Sequence, residues 1–379
     1  MTSKLDSLCV YAKGKVSVES LNSKTYISTE NMMPNKGGVE AASSLPSVQY
    51  TQQYLKGDVL VSNIRPYFKK IWLAEYDGGC SNDVLVFRAN RICSPTFLYY
   101  VLANDLFFDY ATATSKGTKM PRGDKTAIMQ YDVPNFEMED QLRIGNLLRG
   151  LDERIKINKK INDNLQQQLF SLYENMAMTS PCLKEYTLSN LCDFQEGYVN
   201  PPQTHPEYFD GEVKWLRAVD INESFIIETS RTLTKAGFES AKKSALLFKP
   251  STIAISKSGT IGRLGIIADY MCGNRAVINI APRDTNMLAF IYCFLKSKQR
   301  EFPDMAVGSV QKNLYVSLLE PLSVSIPDNE SLTAFNAVGA SILGMIHNNC
   351  VENKNLANLR DTILPKLMSG EIDVSTVQI

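Results

Sequence analysis

The segment NFEMEDQLRIGNLLRGLDERIKINKKINDNLQQQLFSLYENM, Asn135–Met176, has apolar residues at alternating spacings of three and four. Such heptads are typical of a helix that packs against another helix in a coiled coil. No Pro or Gly follows Gly150, and charged and amide residues fill the other positions, so the segment predicts one long, solvated helix. The predicted seam consists of Leu148, Leu151, Ile155, Asn158, Asn162, Leu165, Leu169, Leu172 and Met176.

A second stretch, residues 331–368, repeats this register 194 residues further along the chain. Its predicted seam consists of Ile342, Met345, Asn349, Glu352, Leu356, Leu359 and Ile363. Both copies place polar residues in mid-seam, which costs stability but can fix the register and the partner. On the heptads alone, two unrelated surface helices of one globular domain explain the pattern equally well.

The segments before the two helices match each other in the same order, which indicates a tandem duplication. The matched pairs are LDSLC at Leu5 with LSNLC at Leu188, DVLVSN at Asp58 with TIAISK at Thr252, CSNDVLVF at Cys80 with CGNRAVIN at Cys272, FLYYVL at Phe97 with FIYCFL at Phe290, Gly117 with Gly308, and VPNFE at Val133 with IPDNE at Ile326. Short alternating strands and one apolar helical segment in each copy predict two α+β domains. The expected divisions are a first domain over 1–135, a central helix over 136–178, a linker over 179–185, a second domain over 186–327, a C-terminal helix over 328–370 and a tail over 371–379.

The totals favour neither a basic nucleic-acid binder nor a membrane protein. The 379 residues contain 40 basic and 40 acidic side chains, so any DNA-binding surface has to arise from local clusters. The first residues lack the pattern of a signal peptide and no long apolar window is present, so we expect a cytoplasmic protein without a membrane span. Eight scattered cysteines and two histidines predict reduced packing residues rather than a zinc site or disulfides.

The simplest fold for such a duplication has a pseudo-two-fold axis, which makes the two long helices antiparallel. The seam from Leu148 to Met176 would span roughly 42 Å, somewhat more than the ~34 Å turn of B-DNA. Two similar domains held by such a spacer suit the reading of two short DNA sequences about one turn apart. Because the copies differ in their loops, the two sequences should differ.

Four motifs carry a resemblance to a known family. They are KGDVLVSNIRP (Lys56–Pro66), KPSTIAISKSGTIGR (Lys249–Arg263), VPNFEMEDQLRIGNLLRGLDERI (Val133–Ile155) and LRDTILPKLMSGEI (Leu359–Ile372). In this order, over essentially the whole chain, they resemble the specificity (S) subunit of a type I restriction-modification system. One departure is that the first helix starts with PNFEMEDQ, whereas the second starts with PDNESLTA and lacks the Gln. Identical contacts at the two helix starts are therefore not expected.

The resemblance implies an α+β fold with two tandem-repeated target-recognition domains separated by two long antiparallel coiled-coil helices. It also implies a DNA-binding role in phage defence, in a bacterial or archaeal cytoplasm, on a bipartite double-stranded site. Two methyltransferase (M) subunits would dock on the helices, and restriction (R) subunits would join the wider assembly. No cofactor is expected in this chain; S-adenosylmethionine would belong to the M subunit, and ATP and Mg to the R subunit.

Candidate DNA contacts lie on loops where basic and amide side chains accompany Gly and aromatic residues. Arg and Lys suit phosphates and guanine edges, and Asn or Gln suits adenine edges. The candidates are Asn63, Arg65, Tyr67, Lys69, Lys70, Lys116, Lys119 and Arg122 in the first domain, and Lys257, Ser258, Thr260, Arg263, Gln311, Lys312 and Asn313 in the second. Each is also explained as an ordinary solvated side chain, and the glycines of SKSGTIGR as turn geometry.

An enzyme and a protein adaptor are the alternatives. NPPQ at Asn200–Gln203 is similar to the catalytic loop of amino-methyltransferases, but Gln stands where an aromatic residue is expected, and no Gly-rich cofactor turn is present. SKSGTIGR lacks the G-x-x-x-x-G-K-[ST] pattern of a nucleotide-binding loop. We therefore expect a non-catalytic chain, with a self-contained methyltransferase or nuclease, or a coiled-coil adaptor without a DNA role, as the other readings.

Overall fold

The computed structural model describes residues 2–180, 184–241, 246–309 and 311–375. Residues 181–183 of the expected linker, with Cys182, and residues 376–379 of the expected tail lie outside the described ranges. The chain divides into two compact units, the first comprising Met1–Arg154 and Leu356–Ile379, the second Ile155–Asn355. Each unit therefore combines a domain with segments of both long helices.

Among the described residues, the first unit contains two four-stranded sheets and three short α-helices. One sheet is antiparallel throughout, and the other has a parallel pair of strands at one edge. The main sheet has the strand order β2-β9-β6-β7 and the second sheet the order β3-β5-β8-β4, while β1 pairs with β10. The strands are β1 Thr2–Lys4, β2 Cys9–Tyr11, β3 Lys15–Ser17, β4 Tyr26–Ile27, β5 Tyr50–Tyr54, β6 Val59–Ser62, β7 Ile71–Leu73, β8 Gly78–Cys80, β9 Val84–Ala89 and β10 Asp132–Pro134. The helices are α1 Pro95–Ala103, α2 Asp105–Ala113 and α3 Lys125–Met129.

The apolar segment that begins at Pro95 forms two helices rather than one. Asn104 adopts an extended backbone conformation, and its side-chain oxygen accepts a hydrogen bond from the Leu106 amide at 3.1 Å. Asn is a favoured N-cap because it satisfies an amide that has no partner inside the helix. The chain therefore restarts at Asp105, and both helices bury apolar faces in the core of the first unit.

The second unit repeats the main sheet with one additional strand. Its strand order is β12-β19-β16-β17-β14, a second sheet has the order β15-β13-β18, and β11 pairs with β20. The strands are β11 Lys184–Thr187, β12 Cys192–Glu196, β13 Phe209–Leu216, β14 Phe225–Ile226, β15 Thr232–Leu233, β16 Ile253–Ser256, β17 Leu264–Ile267, β18 Cys272–Gly273, β19 Val277–Pro282 and β20 Ser323–Ile326. The short helices are α4 Leu188–Leu191, α5 Lys235–Glu239, α6 Leu288–Lys298, α7 Phe302–Met305 and α8 Val316–Leu319.

The strand registers of the two units confirm the duplication. Cys9 pairs with Ala89 in the first unit, and Cys192 pairs with Pro282 in the second. Ser62, the last residue of β6, pairs with Val84, as Ser256 pairs with Val277 in the second unit. Equivalent residues thus hold equivalent places in two sheets whose order differs only by the added β14.

Two long helices, Met138–Thr179 and Asn329–Ser369, contribute to both units and are called the central helix and the C-terminal helix. They pair antiparallel within each unit. In the second unit Asn158 of the central helix donates hydrogen bonds to Glu352 and Asn353, at 2.8 and 3.0 Å. Further along the central helix, Asn162 accepts a hydrogen bond from Asn349 at 2.8 Å. Within the first unit, Arg360 of the C-terminal helix donates to Asp152 of the central helix at 2.5 Å.

Three expected seam residues do not lie in the helix contact, because Leu172, Met345 and Leu359 are exposed by 42, 45 and 49%. A neighbouring residue takes each place: Tyr173 packs on Phe290 and Phe335, Ile346 is buried, and Arg360 pairs with Asp152. The helices also pack on their domains, and a helix with 3.6 residues per turn drifts from a strict heptad repeat.

The remaining seam positions are buried or half-buried. Leu148, Asn158, Asn162, Leu169, Met176 and Ile342 are buried, and Leu151, Ile155, Leu165, Asn349, Glu352, Leu356 and Ile363 are half-buried. Leu148 belongs to the core of the first unit, together with Leu364 and Leu367 of the C-terminal helix. Leu169 belongs to the core of the second unit.

The two long helices start with different contacts. Gln141, which is 2% exposed, donates to the carbonyls of Ile92 and Phe136 at 3.0 and 2.9 Å and accepts from the Ser94 amide at 3.0 Å. At the C-terminal helix, Asp328 instead accepts hydrogen bonds from the amides of Glu330 and Ser331. These and the Ser331 hydroxyl lower the pKa of Asp328.

The described cysteines are free thiols that pack in the cores, apart from the half-buried Cys350. Burial raises the pKa of the Cys9, Cys192 and Cys293 thiols to about 12, which leaves them protonated and unreactive at neutral pH. None of the helices among the described residues combines the length and apolar character needed to cross a membrane.

Candidate nucleic-acid interface

In the first unit, two of the predicted basic loops lie side by side. The loop after β6, residues 63–70, and the loop 115–125 are joined by hydrogen bonds from the Arg65 amide to the Pro121 carbonyl, at 2.8 Å, and from the Gly123 amide to the Asn63 carbonyl, at 3.1 Å. We call them the paired loops of the first unit. The second loop is closed by reciprocal backbone hydrogen bonds between Lys116 and Arg122, both at 2.9 Å. Candidates that are far apart in the sequence thus share one edge of the domain.

The paired loops are held in conformations that fix their backbone. Arg65 and Lys69 both adopt positive φ angles, 50° and 51°, on either side of a short turn over Pro66–Phe68. Such angles cost free energy in residues other than Gly and require support from neighbouring structure. At Gly117, φ is 96°, a region where Gly avoids the Cβ clash. This turn brings Lys116 and Arg122 together.

Asn63 is buried, with 6% exposure, although it was expected to contact DNA. Its side-chain oxygen accepts no hydrogen bond from the described residues, nor does the buried Arg65 Nε donate one. A Cβ added at Gly123 would come within 2.9 Å of that Asn63 oxygen. Asn63 is therefore a structural residue at the base of the paired loops. Its side chain is too buried to make the expected contact with DNA.

Three of the six cationic candidates in the first unit pair with carboxylates. Arg122 donates to both carboxylate oxygens of Asp83, at 3.0 and 3.4 Å, and Lys69 lies 3.1 Å from Asp105. Lys116 lies 2.5 Å from Asp124, and its hydrogen bond lowers the pKa of that carboxyl group. Lys70 donates to the Thr29 carbonyl at 2.6 Å, whereas Lys119 and Tyr67 are exposed. The net positive field of these loops is smaller than the sequence suggests.

The second unit builds the same arrangement from residues 257–263 and from residues 306–309 and 311–315, its own paired loops. The Leu314 amide donates to the Lys257 carbonyl at 2.9 Å, as Gly123 does to Asn63 in the first unit. Val307 and Asn313 exchange backbone hydrogen bonds at 3.0 and 2.9 Å, as Lys116 and Arg122 do. The two units therefore present equivalent loop edges.

Ser256, fully buried at the end of β16, fixes the turn of the first of these loops. Its hydroxyl donates to the Thr260 carbonyl at 2.5 Å and accepts from the Arg263 amide at 2.8 Å. Lys257 is held by Glu196 at 2.8 Å and lies 4.7 Å from the centre of the Tyr315 ring. Among the other candidates, Thr260, Gln311 and Lys312 are exposed, and Ser258, Arg263 and Asn313 are half-buried.

The equivalent positions differ in charge between the units. The first unit has the pair of Asp83 and Arg122 where the second has Ala276 and Asn313. On the turn before β9 the first unit has Asn82, and on the turn before β19 the second has Arg275, both exposed. Side chains at these positions would present different hydrogen-bonding groups to a groove.

Sequence reasoning missed the residues that extend these edges. In the first unit Lys13 and Lys15 follow β2, and Lys125 begins α3; all three are exposed. In the second unit Arg231 lies 4.2 Å from the centre of the Phe209 ring and donates to Gln203 at 3.0 Å. The K-G-K tripeptide at Lys13 was a visible signal, whereas the approach of Arg231 to Gln203 depends on the folded sheet.

The NPPQ loop and possible metal ligands are the two features that bear on catalysis. Gln203 of the NPPQ loop bonds Arg231, and Val199, just before it, accepts a hydrogen bond from the Trp215 indole at 2.9 Å, so this loop packs on the second sheet of its unit. Within the described ranges, no three His, Cys, Asp or Glu side chains come together as metal ligands could.

Comparisons with known proteins point to one family. The family model described as type I restriction modification DNA specificity domain matches residues 183–358. The specificity subunit of the type I restriction enzyme HindI from Haemophilus influenzae is 22% identical, with 92% of this chain and 94% of the relative covered. That of MjaIX from Methanocaldococcus jannaschii is 23% identical, with 73% and 69% covered.

A solved structure shares the fold. The S subunit of a type I restriction-modification system from M. genitalium superimposes with a TM-score of 0.57, at 18% sequence identity, and covers 97% of this chain and 96% of that chain. This likeness establishes that the α+β architecture of two repeated domains with two long helices occurs in that protein as well.

Proposed function

We infer that the chain belongs to the specificity subunits of type I restriction-modification systems and that it recognises DNA without catalysing a reaction itself. The observation that carries this inference is the repeated loop edge. Each unit brings a loop after its central strand together with a Gly-containing polar loop through equivalent backbone hydrogen bonds. A chain with two similarly built but chemically different pairs of loops can read two different short sequences.

We propose that each pair of loops contacts one half of a bipartite double-stranded site. The exposed candidates Lys119, Lys312 and Gln311, with the half-buried Arg263, supply phosphate and base-edge contacts. Carboxylate-bound side chains such as Arg122 and Lys257 instead hold the loops in shape, or exchange partners when DNA arrives. Because the units differ at Asp83 and Ala276, the two half-sites should differ in sequence.

The proposed assembly follows from membership of this family. Two methyltransferase subunits would dock on the long helices and carry S-adenosylmethionine, and restriction subunits would add ATP- and Mg-dependent chemistry. This chain would supply base contacts and the distance between half-sites. Its place of action would be the bacterial or archaeal cytoplasm, where both the DNA and the partner subunits are found.

Charge-neutralising substitutions in each unit test the DNA role. We expect Arg263→Gln to weaken binding to the wild-type site and to relax the base preference of one half-site only. Lys119→Gln should affect the other half in the same way, with each lost base contact costing about 1–3 kcal/mol. Binding is measured with the full chain and its methyltransferase subunit, on duplexes mutated in either half.

A matched control removes the same charge outside the paired loops. Arg283→Gln takes away an exposed arginine of the second unit that pairs with Asp193. It should leave both half-site preferences unchanged. If the loop variants bind like the control while still assembling with the methyltransferase subunit, the chain is an adaptor without a DNA-reading role at these loops.

A further inference from the structure

A cleft of about 420 Å³ lies in the first unit, beside the paired loops. Lys13, Lys15 and Lys125 line it, together with two tyrosines, the carboxamides of Gln52 and Asn82, and residues 84–86 of β9. We call it the lysine cleft. The turn at Gly14 places Lys13 and Lys15 on the same cleft, with a φ of 145° that favours Gly.

The lysines of the lysine cleft are not bound to carboxylates in the described part of the chain. No Asp or Glu is among its lining residues. Within the described part of the chain, Lys13, Lys15 and Lys125 form no ion pair, unlike Lys69, Lys116 and Arg122 of the neighbouring loops. Like charges around one concave surface raise the local potential and attract anions. The lysine cleft is therefore a stronger anion-binding candidate than the loops chosen from sequence.

The three lysines of the lining favour a nucleic acid over a protein partner. Protein interfaces have apolar centres and are depleted in Lys, whereas Lys, Tyr and carboxamide groups are common donors to phosphate and sugar oxygens. Half or more of the hydrogen bonds in protein–DNA complexes go to the backbone. A cleft of this composition suits the sugar–phosphate chain.

The lysine cleft is also continuous with the paired loops of the first unit. The Tyr11 hydroxyl donates to the Lys125 carbonyl at 2.9 Å, which fixes the start of α3 against β2. Asn82 precedes Asp83, whose carbonyl accepts a hydrogen bond from the Asn63 amide at 2.8 Å. A DNA duplex on the paired loops would therefore pass the cleft.

We propose that the lysine cleft binds the DNA backbone next to the half-site read by the first unit. This inference rests on the proposed function and names a contact that the sequence motifs do not mark. The second unit differs at one position of the lysine cleft. Four residues after Cys192, the counterpart of Cys9, stands Glu196 in place of Lys13, and its carboxylate pairs with Lys257.

The test measures how DNA binding depends on salt. For each neutralised phosphate, the logarithm of the association constant falls with the logarithm of salt concentration with a slope of about −0.9. Lys13→Gln with Lys15→Gln should therefore reduce this slope by about two in the complex of the full chain and its methyltransferase subunit. The reduction should be the same on a duplex with the methylated motif and on a mixed-sequence duplex.

The matched control is Lys24→Gln with Lys56→Gln. Both lysines are exposed, lie in the same unit and do not line the cleft. This variant removes the same charge and should leave the slope within experimental error of the wild type. Fluorescence of the buried Trp72, in a background where Trp215 is replaced by Phe, checks that both variants keep the first unit folded.

Equal slopes for the cleft variant and the control would overturn the proposal. A folded cleft variant that no longer binds the methyltransferase subunit would identify the cleft as a protein-docking surface and overturn the proposal as well. If the wild-type complex shows no preference for any split sequence, the proposed function itself fails. That result differs from one in which the wild type prefers a split sequence and the cleft variant keeps the wild-type salt slope. In the second case only the cleft proposal fails.

Discussion

At the scale of single residues, a basic side chain on a recognition loop has two different roles. Lys119 and Lys312 are exposed, whereas Lys257 is held by a carboxylate and an aromatic ring. The sequence identifies the charge but not its neighbour. Glu196 is separated from Lys257 by 61 residues and Asp83 from Arg122 by 39, so these pairs exist only in the folded sheet.

Lys257 provides the clearest test of the difference between exposed and carboxylate-bound basic side chains. We expect Lys257→Gln to lower the free energy of unfolding of the second unit by about 1–3 kcal/mol, because Glu196 loses a charged hydrogen-bond partner. The Lys257 side chain is only 12% exposed. The slope of DNA binding against salt should therefore change by less than about 0.9, the value for one phosphate contact. Urea unfolding followed by Trp215 fluorescence, in a Trp72→Phe background, measures the stability.

Lys312→Gln is the matched control for Lys257→Gln. Because the Lys312 side chain is exposed, this variant should give the opposite result. The free energy of unfolding of the second unit should be unchanged, and the slope of DNA binding against salt should fall by about 0.9. If Lys257→Gln reduced the slope by this amount without destabilising the second unit, Lys257 would be a direct phosphate contact.

At the scale of elements, the sequence predicts the long helices well and their packing less well. Their ends lie within two residues of the expected positions, because heptads, Pro134 and Pro327 mark them clearly. The register fails at Leu172, Met345 and Leu359, because each helix packs on a domain as well as on the other helix. The repeat pattern contains no information on that second contact.

The start of the central helix supports a prediction at this scale. Gln141 makes three hydrogen bonds to backbone groups while almost fully buried. Gln141→Ala leaves the Ser94 amide and two carbonyls without this partner, which should destabilise the first unit by about 1–3 kcal/mol. Urea unfolding followed by Trp72 fluorescence, in the Trp215→Phe background, measures this loss.

Gln168→Ala is the appropriate comparison, since Gln168 is an exposed residue of the same helix. It should change the stability by no more than about 0.5 kcal/mol. A Gln141→Ala protein as stable as this control would show that the hydrogen bonds of Gln141 do not hold the helix start.

At the scale of the whole molecule, the proposed function assigns the two long helices the task of spacing the half-sites. The polar contacts of Asn158 and Asn162 with the C-terminal helix fix the helix register, as buried polar residues do in coiled coils. Inserting one heptad after Arg154 and another after Asn355 preserves this register. Seven residues add about 10.5 Å of helix, which corresponds to about three base pairs at 3.4 Å each.

We expect this double insertion to lengthen the gap of the recognised site by about three base pairs. The half-site sequences should not change, since the paired loops are untouched. A single insertion, in the central helix only, should abolish recognition because it breaks the antiparallel register. Altered half-site sequences in the double insertion would mean that the helices do more than set a distance.

The most direct test of the central claim is adenine-methylation mapping in cells that express the wild-type chain with its methyltransferase subunit. Two different pairs of loops held at a fixed distance should give one motif made of two short, different sequences separated by a fixed gap of unspecified bases. A methylated motif that is contiguous would contradict it, because a single block of sequence leaves no role for two separate reading edges.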